Sequence, residues 1–193
     1  CRSRVLEVNR TQTGVLGTVC VMAKERTRKP IAGKDNSKAD PISARTAARV
    51  AAVQALDQMD LAATDLNEVI EEFLNVRFND DAPDETIKGA DRIFFADILR
   101  AVLRRQREID PQVDAQLAEG WRLVRVDAIL RAVLRAGVAE LLERDDVPVR
   151  VVINEYVNVA HFFFSDDEPR VVNGVLDKIA RCVRAQEFTP KSE

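Results

Sequence analysis

Histidine occurs once in these 193 residues, at position 161, and cysteine three times, at positions 1, 20 and 182. A Ser-His-Asp or Cys-His nucleophile would therefore depend on His161 alone. That residue closes an apolar helical run beside Phe162 and Phe163, where a packed or boundary role outweighs a catalytic one. A di-metal carboxylate site in a helical bundle needs Glu-x-x-His pairs, but Asn158 stands three before the only histidine. The cysteines form no C-x-x-C, and their odd, scattered set fits reducing, cytoplasmic surroundings with no metal framework. Nor is there a phosphate-binding loop: AGKDNSK has Gly33 and Lys34 without Walker spacing or a preceding strand. With these parts missing, neither an enzyme nor a cofactor is expected.

Turn formers and rings are also scarce. Glycine and proline number 7 each, and aromatic residues make up 5%. A chain poor in these and rich in Ala, Leu, Arg and Glu leans all-helical. No apolar run approaches the roughly 18 residues of a membrane span, and the first residues lack the charged start and apolar stretch of a secretory signal.

What the chain does have is an uneven charge. Residues 1–49 carry 11 Lys and Arg against 4 Asp and Glu, whereas the remainder carries 18 against 28. A basic arm on an acidic body suits contact with nucleic acid at one edge; a solvated tail explains the charge equally well. Residues 1–42, with KERTRKPIAGKDNSKADP as their second half, read as a flexible, disordered basic arm. Met22 is the first methionine, which leaves open whether residues 1–21 are native.

Residues 43–193 read as one compact all-α domain of seven helices. Ser43 is a candidate N-cap, and Ala48, Ala52, Ala55 and Met59 form a small-residue stripe for close helix contact. A second helix starts near Asp65, with Glu68 in capping-box position. A third covers about 86–107. Asp110-Pro111 reads as the start of a short fourth helix that Gly120 stops. Further helices are expected over about 126–144, from 149 to about 163, and over roughly 169–185. The last contains Asn173-Gly174, a dipeptide that ordinarily marks a hairpin turn. Val172, Leu176, Ile179 and Val183 nevertheless keep helical spacing through it. Gly174 falls on the polar side with Arg170, Asp177, Lys178 and Arg181, where it leaves room for close approach by a partner or by the protein's own turn.

The candidate binding residues are arginines. Arg45 and Arg49, four apart on the first helix, share a face and extend the basic arm. Guanidinium groups there suit phosphate contact and base stacking, and a merely solubilising face fits them as well. RAVLRRQR, residues 100–107, reads as a solvated face.

Three stretches together, ARTAARVAAVQALDQMD, DVPVRVVINEYVNVAHFF and EPRVVNGVLDKIAR, resemble the NusB family of bacterial transcription antitermination factors. The resemblance runs from about Ser43 to Arg184. It implies two packed helical subdomains and RNA binding without catalysis. It further implies binding of box A leader RNA, chiefly of ribosomal RNA operons, as a heterodimer with NusE, a small-subunit ribosomal protein. That heterodimer would work within an RNA polymerase antitermination complex. Arg45 and Arg49 occupy the family's RNA-facing helix start. The turn before the last helix, with Asp167, Val171 and Asn173, occupies a region of partner or RNA contact. The chain departs from the family at Asp57 and Val171, where an aromatic ring is usual. A NusB-like module also opens some ribosomal-RNA cytosine methyltransferases, so a helical accessory domain is the alternative. That alternative needs a cofactor-binding domain to follow, whereas these residues end at Glu193. A purely structural scaffold would differ from both in having no affinity for RNA.

Overall fold

The computed structural model describes residues 42–79, 81, 83–118 and 121–188. The basic arm, save its last residue, together with Met22, Gly120 and the tail beyond 188, lies outside them. The described residues form helices joined by turns and loops, with no strand among them. Six α-helices are present: α1 (Ala44–Ala62), α2 (Leu66–Glu72), α3 (Arg92–Gln116), α4 (Ala128–Glu143), α5 (Val149–Phe163) and α6 (Glu168–Val183). No helix among the described residues is long and apolar enough to cross a membrane.

Local signals place most of the starts. Ser43 caps α1, its Oγ accepting from the Thr46 amide at 3.0 Å. Asp65, Asp91 and Asp127 likewise accept from early amides of α2, α3 and α4, satisfying donors that a helix leaves open. Two boundaries differ from the sequence expectation. α3 begins at Arg92 rather than near 86, because Gly89 sits in the left-handed region at φ +68° and Asp91 supplies the cap. Ile87 is still fully buried, as a loop residue.

The second difference is Pro111, which lies inside α3 and starts no helix of its own. Six helices therefore replace the expected seven. A helical proline sacrifices one backbone bond, to the carbonyl four residues earlier, here that of the exposed Arg107. Against this stand Ile109 and Val113, each wholly buried on either side of the proline. Asp110 is also held by Arg135 of α4 at 2.8 and 2.9 Å. Packing overrides the local signal.

The hub is α4, which packs on α1, α3, α5 and α6 and so joins the first three helices to the last two. Gly137 permits close approach by α5 and α6. A Cβ there would stand 2.9 Å from the Leu176 side chain and 3.3 Å from the Tyr156 ring. Ala48, Ala52 and Ala55 of α1 are completely buried, as the small-residue stripe predicts. After α2 the chain makes a π-helical turn, Phe73–Arg77. Phe73 and Phe78 there meet Phe95 of α3, with ring centroids 5.2 and 5.1 Å away.

Candidate nucleic-acid interface

The start of α1, the start of α3 and the end of α4 form one corner. The Asp91 amide donates to the Ala44 carbonyl at 3.0 Å, which fixes the first two elements together. At this corner three guanidinium groups surround one ring. The Cζ atoms of Arg45, Arg49 and Arg144 lie 5.3, 4.9 and 5.2 Å from the centroid of Phe94, within cation–π range.

The three arginines are not equivalent. Arg49, expected to face outward beside Arg45, is only 3% exposed. Its Nε and Nη2 form a fork on Glu140, and its Nη1 donates to Glu155 at 3.1 Å. Tyr156 donates to the same Glu140 at 3.0 Å, and Thr46 donates to Glu155 at 2.7 Å. Burial opposes the Arg49 charge, but the Glu140 hydrogen bond and the surrounding charges prevail, so its pKa is raised. Burial also drives the Tyr156 hydroxyl well above its usual value, with the Glu140 charge adding to the effect, so it serves as a neutral donor. A guanidinium committed to two carboxylates and buried in this way is screened from a phosphate. Arg45, by contrast, is exposed and in no ion pair among the described residues. Of the expected pair, the corner presents Arg45 and uses Arg49 as its foundation.

Sequence reasoning missed Phe94, Glu140, Glu155 and Arg144 as parts of this corner. One signal was available: Glu140 is an acid within the apolar length of α4, and a buried acid demands a partner.

The other expected contact residues lie elsewhere. Asp167 precedes α6 and pairs with Arg170 at 3.3 Å, both being largely exposed. Val171 is half-buried against the core, and Asn173 is exposed. The Asn-Gly pair is indeed helical, and a Cβ on Gly174 would meet nothing within 4 Å. The room beside Gly174 is therefore open, unused by the protein's own turn. Arg184, just past α6, bonds the α4–α5 junction beside the arginine corner. The first turns of α6 lie at the other end of that helix, about 20 Å along its axis from Arg184 at 1.5 Å per residue. His161, expected to be packed or at a boundary, is exposed in the last turn of α5.

The sequence profile of the NusB family matches residues 46–181. The chain belongs to the NusB family. The transcription antitermination protein NusB of Rhodopseudomonas palustris (strain TIE-1) is 52% identical over 145 residues, covering 75% of this chain and 83% of that protein. The protein of the same name from Bradyrhizobium sp. (strain BTAi1) is 46% identical over 167 residues, covering 86% and 99%. Among solved structures, T. maritima NusB superposes with a TM-score of 0.62 at 26% identity, covering 77% of this chain and 99% of that one. NusB proteins are transcription antitermination factors and not enzymes, which agrees with the catalytic parts missing from the sequence. Within the family match fall the helix-start arginine, now Arg49 alone in its buried setting, and the whole Val-Asn-Gly stretch.

Proposed function

We propose that this NusB-family chain binds single-stranded box A leader RNA, chiefly of ribosomal RNA operons, as a heterodimer with NusE inside an RNA polymerase antitermination complex in the cytoplasm. The observation that supports it most is Arg45, an exposed guanidinium held against Phe94 at the edge where a basic arm joins an acidic body. Arg49 acts here from beneath, keeping the start of α1 in place through Glu140 and Glu155. Asp167, Val171 and Asn173, remote from that corner, are assigned to the protein partner, with the open space beside Gly174 receiving its backbone. Two ligands on two separate patches can bind together.

The test is a titration of box A RNA, matched and scrambled, with and without NusE. Matched RNA is expected to bind more tightly when NusE is present, and RNA must tighten NusE by the same factor. Equal affinity for matched and scrambled RNA in both conditions overturns the reading. On the partner side, Gly174→Ala is expected to raise stability by up to about 1 kcal/mol, because alanine is the better helix former and no internal neighbour is crowded. It is expected to weaken NusE at the same time. A stabilised variant with unchanged NusE affinity removes Gly174 from the interface.

A further inference from the structure

The corner holds a second guanidinium that nothing above assigns to RNA. Arg144, at the end of α4, lies against the same Phe94 ring as Arg45, at 5.2 and 5.3 Å respectively. Its Nε and Nη2 donate to the two carboxylate oxygens of Asp146, both at 2.8 Å. This is the parallel fork by which an arginine grips a phosphate as readily as a carboxylate. We propose that Asp146 is a stand-in for an RNA backbone phosphate: the strand displaces it from Arg144, and Arg144 and Arg45 then grip the RNA across Phe94. The inference rests on the RNA-binding reading above.

Three features carry it. First, the Asp146 carboxylate is 58% exposed while the Arg144 side chain is 27% exposed. Such a pair is weak because water already solvates the acid, and an incoming phosphate can replace it. The Arg49 fork is the opposite case, since its Glu140 side chain has no exposure at all. Second, Arg45 is close enough to contribute to the electrostatic field on Asp146. The hydrogen bond from Arg144 is the main influence on that carboxyl, and together they lower its pKa to about 2. Arg144 holds that carboxylate directly, and Arg45 stands by on the same Phe94 ring. Third, the backbone beneath is clamped. Arg184 donates to the carbonyls of Arg144 and Val147 and pairs with Asp145. Glu187 accepts from the Val149 amide at 2.9 Å. Exchange of Asp146 for phosphate therefore needs only a side-chain rotation, with the turn left as it is.

The experiment is an RNA titration across a salt series, with the full chain and its protein partner present, on wild type, D146N, R144A and the double variant. D146N is expected to bind several-fold more tightly with an unchanged salt slope. R144A is expected to bind more weakly, its slope reduced by about 0.7, the share of one phosphate on a single strand. The double variant is expected to match R144A, because the gain from D146N is routed through Arg144. If R144A fails to fold, R144K substitutes for it; an ammonium keeps the charge without the fork, so D146N should bring little gain in that background. A gain from D146N that survives in the R144A background makes Asp146 a general repulsive charge and overturns the proposal. So does a D146N variant that binds RNA as wild type does, or one that tightens only the protein partner. A wild type without RNA affinity overturns this inference and the function together, whereas a wild type that binds beside an indifferent R144A overturns this one alone.

Discussion

Two pairs of arginines, each four residues apart, stand at opposite ends of the helical core. Arg131 and Arg135 lie near the start of α4, Arg45 and Arg49 at the start of α1. In the first pair both side chains are occupied. Arg131 donates to Asp60 at 2.9 Å, and Arg135 reaches Asp60 and Asp110. These contacts tie α4 to α1 and α3. In the second pair Arg49 is buried in a carboxylate fork, and Arg45 is left outside. Spacing puts each pair on one helix face. Whether a guanidinium is available to a ligand is decided by which acids the rest of the fold brings up to it.

The comparison is most sharply broken at Arg49. Arg49→Ala leaves Glu140 buried with Tyr156 as its remaining hydrogen-bond partner, and removing one member of a buried pair costs about 3–5 kcal/mol. Urea unfolding should show that loss; a change below 1 kcal/mol would mean that the network contributes little. Arg135→Ala, in a half-buried site, is expected to cost about 1–3 kcal/mol through unsatisfied acids while leaving RNA affinity unchanged. A fall in RNA affinity there would make the two ends alike. Arg45→Ala should do the reverse. Its stability is expected to stay within about 0.5 kcal/mol of wild type, as for an ordinary surface change. Its RNA affinity should fall, with a salt slope shallower by about 0.7. The smallest effect is that of pH. Asp146 has its pKa lowered to about 2 by Arg144, so the stability it adds is complete above its unfolded value near 4 and is lost as pH falls toward 2. D146N should flatten that part of an acid unfolding curve, and an unchanged curve would show the pair to be inert.

Features built from neighbouring residues were legible in the sequence. Ser43 and Asp65 announced their caps, Ala48, Ala52 and Ala55 their burial, and the stretch from Val149 to Phe163 its helix. The last helix kept its apolar stripe through Asn173-Gly174 for the same reason. What depended on distant partners was not legible. Pro111 looks like a helix start until Arg135 and the buried Ile109 and Val113 are seen around it. Arg49 looks like the twin of Arg45 because its acids stand 91 and 106 residues away in the chain. Phe94 reads as one more apolar residue of α3, and only its three guanidinium neighbours mark it as the buried ring beneath the corner.

The clasp of Arg184 and Glu187 bears on how the protein comes into being. Synthesis proceeds from the N-terminus, so the start of α1 leaves the ribosome well before Glu187. Until it emerges, the carbonyls of Arg144 and Val147 and the amide of Val149 lack the partners that hold their turn. The corner that carries Arg45 is thus begun by α1 and finished by the turn that follows α6. A nascent chain stalled before residue 184 would display its arginines on an unset edge, and RNA would meet the finished edge only after translation has run to the end of α6.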